Sequence, residues 1–191
     1  RPTPCQSNWT MKTNYNKGPR LLMTLEKVFR PSWKKGLQIS REYNMINNQT
    51  ALHQQVVDHL MLEDGFSKWL GIKVLKVEEG YCQISMAVRP EMVNGFGIAH
   101  GGIAFSMADS AFAFACNNRN NLSVALDVTI TFIKAVHIGD VLAAEAKEIH
   151  NGKSTGVYLI TVMNQRNEQV ALFKGTCFRT GKLLVNKNPQ P

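Results

Sequence analysis

From Thr50 onward, apolar and polar positions alternate regularly enough to predict secondary structure. Val56, Val57, Leu60 and Met61 form one apolar stripe at helical spacing, so a helix capped by Thr50 and stopped by Gly65 is expected. Ile72, Val74 and Leu75–Val77 read as a strand, Glu78-Glu79-Gly80 as a hairpin turn, and Tyr81–Val88 as the returning strand. The stretch from His100 to Cys116 holds no proline and is rich in alanine (104, 108, 111, 113, 115), which favours helix. Three or four strand-like segments follow: Val124–Ile133, Val141–His150, Gly156–Asn164 and Gln169–Arg179. Gly139-Asp140, Asn151-Gly152 and Asn164–Asn167 separate them with turn-forming residues, as an antiparallel meander requires.

The 100–116 helix is apolar almost all round, so it must be buried on every side. One buried helix among about six antiparallel strands implies an α+β fold in which a curved sheet wraps a long central helix. A sheet covering one face leaves the other exposed, and a second copy of the chain is the simplest cover. A homodimer at least is expected.

Composition changes this picture at one end only. The chain of 191 residues carries a formal charge of +8, yet the first fifty hold nine bases against two acids, and the rest thirteen against twelve. The charge belongs to a basic, proline- and asparagine-bearing extension, expected to be irregular over 1–50. It precedes a nearly neutral domain over 51–185 and a short tail over 186–191. No run reaches the ~18 apolar residues that span a bilayer, and no apolar signal region opens the chain. The four cysteines (5, 82, 116, 177) make no Cys-x-x-Cys pair and the five histidines no His-Glu-x-x-His. No metal site, no cofactor, no membrane partner and a reducing, cytoplasmic location are expected.

Chemistry concentrates in Val93-Asn94-Gly95-Phe96-Gly97-Ile98-Ala99-His100-Gly101-Gly102 and in Asp109. Glycines at a helix start leave backbone N–H groups open at the positive end of the helix dipole, where an oxyanion can bind. They also permit close packing against a strand, and both uses stand open. Asp109 lies on an otherwise apolar helix, where a carboxylate is costly to bury unless neighbours such as Ser106 or Ser110 bond it. Desolvated carboxylates are also what general bases and nucleophiles employ. Eight residues separate Gly101 from Asp109, about 12 Å along a helix. One carbonyl cannot meet both from the same helix, so a shared site requires the helix of a second subunit.

These residues resemble the hotdog-fold acyl-CoA thioesterases, in particular the phenylacetic-acid-degradation thioesterase group. The likeness rests on Asn94-Gly95, His100-Gly101-Gly102, Ala108-Asp109-Ser110, the Val124–Ile133 strand, Asn151–Tyr158 and Val170–Gly175 and covers roughly residues 52–182. It implies hydrolysis of aryl- or medium-chain acyl-CoA, hydroxyphenylacetyl-CoA among them, to free acid and coenzyme A by a dimer or a dimer of dimers. It further implies that Gly101 N–H polarises the carbonyl, and that Asp109 of the facing subunit activates water or attacks. Asn94 would orient water or substrate, and His100 would shape the oxyanion end. Gly102 and Ser110 would contact substrate, and Lys134 and Lys153 would meet the phosphates of coenzyme A. Two features depart from relatives. Ala125 and Leu126, beside Asp127, stand where some carry a hydroxyl, and Ala135 stands where a proline is common.

Two other classes compete. A hotdog dehydratase or hydratase needs a His–carboxylate pair in another loop pattern, which is not found. An acyl-CoA-responsive DNA-binding regulator would use the basic extension, but residues 1–50 lack helix-turn-helix periodicity. No nucleic-acid partner is expected.

Overall fold

The computed structural model describes residues 32–185. The chain divides into two compact units, Arg1–Asn44 and Met45–Pro191, and the site lies in the second. The elements in order are helices α1 (Ser32–Glu63) and α2 (Gly65–Leu70), strands β1 (Lys73–Glu78) and β2 (Tyr81–Ala87), a 3-10 turn (Pro90–Met92), helix α3 (Gly101–Asn117), and strands β3 (Ser123–Phe132), β4 (Val141–Asn151), β5 (Thr155–Asn164) and β6 (Gln169–Arg179).

The expected helix is present but begins earlier. Thr50, read as its cap, lies inside α1, and the irregular reading of residues 1–50 gives way to helix from Ser32; its first 31 residues lie outside those described. His53, Val56 and Val57 are buried, with Leu60 and Met61 packed beside the core, as the stripe requires. Gly65 does not stop a helix. It starts α2, because Asp64 caps that helix by accepting the Ser67 N–H at 2.9 Å. Gly71 closes it at φ 76°, the left-handed conformation open to glycine.

The hairpin forms as read: Glu78 pairs with Tyr81, and Gly80 takes φ 67° in the turn. The sheet order is β1-β2-β4-β5-β6-β3, with every neighbouring pair antiparallel. The four later segments are therefore not one meander. Strands β4, β5 and β6 are consecutive neighbours, but β3 pairs with β6 at the far edge. Helix α3 carries the chain across the sheet before β3 is laid down, and the β3–β4 connection returns it to β2.

Helix α3 packs on β2, β4, β5, β6 and β3, which makes the sheet a wrap around it. Its Met107, Ala108, Ala111, Phe112 and Ala115 meet Ile84, Leu142, Ile160 and Phe173 in one core. Gly175 lets β6 approach the helix, since a Cβ there would stand 2.9 Å from the Phe112 ring. Cys82, Cys116 and Cys177 are free thiols within this core. None of the described helices is long and apolar enough to cross a membrane.

Candidate active site

His100 is the N-cap of α3, in an extended conformation with φ −62° and ψ 135°. Its backbone N–H donates to Met92 O at 2.8 Å, which ties the helix start to the 3-10 turn. Its ring Nδ1 accepts the Gly102 N–H at 2.9 Å, so the ring proton sits on Nε2. The Ile103 N–H donates to His100 O at 2.9 Å. Of the first three N–H groups of the helix, two are thus satisfied, and that of Gly101 has no acceptor among the described residues. Gly102, expected to contact substrate, has its N–H engaged by His100.

Both glycines have local reasons. A Cβ on Gly102 would stand 3.0 Å from His100 Nδ1, and one on Gly101 would stand 3.0 Å from Phe132 Cζ. Close packing and an open donor therefore coexist at Gly101. Phe132, which the sequence reading passed over, is the last residue of β3 and walls the helix start. Its signal was an aromatic at a strand end, indistinguishable in sequence from a core residue.

Asn94 lies in the loop before the helix. Its Oδ1 accepts the Phe96 N–H at 2.9 Å, its own N–H donates to Ile98 O at 2.8 Å, and Gly97 turns at φ 74°. The side-chain oxygen is committed to the loop, which leaves the amide NH2 as the group free to donate. Asn94, His100, Gly101, Phe132, Lys134 and Val136 line a cleft of about 280 Å³. An N–H at a helix N-terminus beside an amide donor can polarise a carbonyl oxygen and hold the oxyanion formed from it.

Lys134, at the cleft, donates to Glu168 Oε1 at 2.9 Å. Hydrogen bonds from Asn164, Lys134 and Arg166 hold the Glu168 carboxyl down at about 2. The lysine expected to meet phosphate is thus already paired with a half-buried carboxylate.

Asp109 does not line this cleft. It is half-buried, no described residue hydrogen-bonds its carboxylate, and burial pushes its pKa up from the ordinary aspartate value. Ser110 does not cap it. The Ser110 hydroxyl is buried and lies 2.8 Å from that of Ser67, which also donates to Asp64 Oδ2. This chain of bonds docks α2 on α3 one residue beyond Asp109.

Lys153 is exposed in the β4–β5 turn. The register puts Phe132 opposite Ala171 and Ser123 opposite Arg179, with Thr155 opposite Phe178. Lys134 and Lys153 therefore stand at opposite ends of the sheet, separated by the length of β3, about 30 Å at ~3.3 Å per residue. Four of the expected residues (Asn94, His100, Gly101, Lys134) gather at one end. Asp109 and Lys153 lie away from it.

Edge strand β3 is open. Val124, Leu126 and Phe132 are 50%, 61% and 54% exposed, and a bulge between Ala125 and Asp127 leaves Leu126 unpaired with β6. Asp127 is exposed beside it.

The sequence pattern of the thioesterase superfamily matches residues 96–171. The acyl-coenzyme A thioesterase PaaI of Escherichia coli is 44% identical over 130 residues, 68% of this chain and 93% of that protein. The structure of the E. coli PaaI protein from the phenylacetic acid degradation operon superposes with a TM-score of 0.69 at 40% identity, covering 70% of this chain and 97% of that one. A thioesterase from Streptococcus pneumoniae, solved with coenzyme A, superposes with a TM-score of 0.57 at 27% identity, covering 59% and 88%. With its antiparallel sheet wrapped around α3 and its open Gly101 N–H, the chain belongs to the thioesterase superfamily and has the hotdog fold.

Proposed function

We propose that the protein hydrolyses acyl-CoA thioesters at a site shared between two copies of the chain. The observation that carries this reading is the single N–H left without an acceptor at the start of α3, on Gly101, in a cleft with the Asn94 amide. The half-buried Asp109 carboxylate, unbonded by described residues, stands about 12 Å further along the same helix. Pairing of two β3 edges antiparallel about a twofold axis would cover Val124, Leu126 and Phe132 and bring the second helix alongside. Asp109 of one copy then faces Gly101 of the other. Lys153 moves toward the Lys134 end of its neighbour, which brings one unpaired ammonium to the phosphates of coenzyme A beside the Lys134–Glu168 pair. A dimer of dimers built from this unit is the assembly we favour.

In this reading the thioester carbonyl oxygen accepts hydrogen bonds from Gly101 N–H and the Asn94 amide. His100 fixes the helix start by holding Gly102 N–H. Asp109 either takes a proton from water as the water oxygen bonds to the carbonyl carbon, or attacks that carbon itself. In the latter case loss of the thiolate leaves a mixed anhydride that a water then hydrolyses, breaking its C–O bond to release the acid and restore the Asp109 carboxylate. The oxyanion collapses, the C–S bond breaks, and the coenzyme A thiolate leaves and is protonated, giving free acid and thiol. The substrates we favour are aryl- and medium-chain acyl-CoA, with hydroxyphenylacetyl-CoA as the phenylacetate-degradation candidate.

The test is thiol release from a panel of acyl-CoA esters by the wild type and Asp109→Asn. A loss of about 10²–10⁴ in kcat/KM is expected, the contribution of a positioned acid–base group. Unchanged kcat/KM across the panel would sink the proposal.

A further inference from the structure

Arg179 ends β6, and its side chain is 5% exposed. It holds the Asn151–Ser154 turn at three of its four residues. Its Nη2 donates to Asn151 Oδ1 at 2.7 Å, its Nε to Gly152 O at 3.2 Å, and its backbone N–H to Ser154 O at 2.9 Å. Only Lys153 is left out of the grip. The same Nη2 reaches Glu148 Oε1 at 3.0 Å, and Glu148 is fixed in turn by Arg119 at 2.9 and 2.6 Å and by the Tyr158 hydroxyl at 2.6 Å. The arginine is therefore anchored in the sheet and extends outward to the turn.

The sequence of the turn is fitted to this grip. A Cβ on Gly156 would stand 2.8 Å from Arg179 Nη2, and one on Gly152 would stand 2.9 Å from Thr155 O. The Gly152 N–H donates to that same oxygen at 2.9 Å, which tightens the turn. In Asn151-Gly152-Lys153-Ser154-Thr155-Gly156, every residue but Lys153 contributes a contact, or the space for one, that shapes the turn. The Lys153 ammonium makes no ion pair among the described residues and is exposed. A free lysine on a four-carbon stem is a poor anion site, because holding it in place costs entropy of the side chain and of any mobile backbone that carries it. A turn clamped from beneath by a buried arginine removes the backbone share of that cost.

We infer that Arg179, anchored on Glu148, is a positioning residue that presents Lys153 to a phosphate of a coenzyme A-type ligand. This rests on the proposed role of Lys153 and adds the device that makes it effective. Arg179 touches no ligand itself. It acts through the turn, so its influence falls on the phosphate-bearing part of the ligand and not on the pantetheine arm.

The experiment is isothermal titration calorimetry of coenzyme A and of pantetheine, which lacks the nucleotide phosphates, on the intact chain and on Lys153→Ala, Asn151→Ala and Arg179→Lys. Binding is measured without turnover, so a failure of hydrolysis leaves the result readable. The quantity read is the ratio of the two affinities. Lys153→Ala is expected to cut the ratio about tenfold, the worth of one charge-assisted hydrogen bond. Asn151→Ala, which removes a contact at the exposed turn and spares the Glu148 anchor, and Arg179→Lys, which cannot fork, should each cut it severalfold in the same direction. If Lys153→Ala lowers the ratio while Asn151→Ala and Arg179→Lys leave it, the positioning role is wrong and the lysine's role stands. If Lys153→Ala leaves the ratio unchanged, both fall. Parallel weakening of both ligands in Arg179→Lys, with the ratio kept, marks a merely structural arginine and also overturns the inference.

Discussion

The tip of the Phe132 ring faces the side of Gly101 from which a side chain would project, so that a methyl group on Gly101 would stand 3.0 Å from Phe132 Cζ. Strand end and helix start therefore fit each other at the residue with the open N–H. Gly101→Ala should displace the half-exposed ring and destabilise the fold by about 1 kcal/mol, the low end of the cost of overpacking, because the ring can swing toward solvent. Phe132→Leu in the same chain should recover part of that loss. A double-mutant cycle by urea unfolding should return a coupling of about 0.5–3 kcal/mol; additive effects would show that the two do not touch.

Asp109 carries a pKa raised by burial, so its ionised form is disfavoured in the folded chain. For a group that must be ionised to act, the acid limb of kcat/KM should fall above the ordinary aspartate pKa. The stability consequence has the opposite sign from a salt-bridged carboxylate. The folded state binds the proton more tightly than the unfolded state, so stability is lost as pH rises through the unfolded pKa toward the folded one. Asp109→Asn should therefore melt higher than the wild type at pH 7, and the gain should vanish at acid pH. Its activity should be lost at every pH. A lower Tm for the variant at pH 7 would contradict this.

Glu148 is the opposite case. Burial opposes its ionisation, but hydrogen bonds from Arg119 and Tyr158, with the charge of Arg179, hold its pKa below the ordinary glutamate value. Its contribution is present above the unfolded pKa and is lost as pH falls through the folded one. Glu148→Ala leaves Arg179, 5% exposed, without a carboxylate, while Arg119 keeps only Glu79 at 2.7 Å. A loss of about 3–5 kcal/mol is expected by urea unfolding at neutral pH, in line with other broken buried pairs.

Leu126 sits on the β3 bulge, 61% exposed on an open sheet edge. Leu126→Arg should keep the monomer fold, because the side chain faces away from the core, and should block edge pairing by charge repulsion. Sedimentation should find a smaller species than the wild type, with thioester hydrolysis lost in parallel. A variant of wild-type size and full activity would exclude β3 as the contact.

Helix α3 was legible because its alanines and apolar residues leave little else possible, and the strands because Gly and Asn punctuate them. The His100-Gly101-Gly102 segment was legible as a helix start. Other features rest on contacts remote in sequence. Nothing local says that β3 crosses to β6, because Val124–Ile133 would fit beside any strand. Gly65 read as a stop because the competing signal, the Asp64 cap on Ser67, depends on which helix the aspartate serves. Ser110 read as a cap for Asp109, yet its hydroxyl meets Ser67, 43 positions away. Phe132 over Gly101 and Arg179 beneath Lys153 are of the same kind.

Co-assembly of two inactive chains asks whether the site is shared between copies. Asp109→Asn and Asn94→Ala would each abolish thiol release alone. Mixed as refolded or co-expressed dimers, half the assemblies carry one chain of each kind. In these, one of the two shared sites keeps both Asn94 and Asp109 intact, so about a quarter of wild-type activity should return. A mixture as inactive as its parents, with mixed dimers shown to be present, would mean that Asp109 and Gly101 do not meet across the interface.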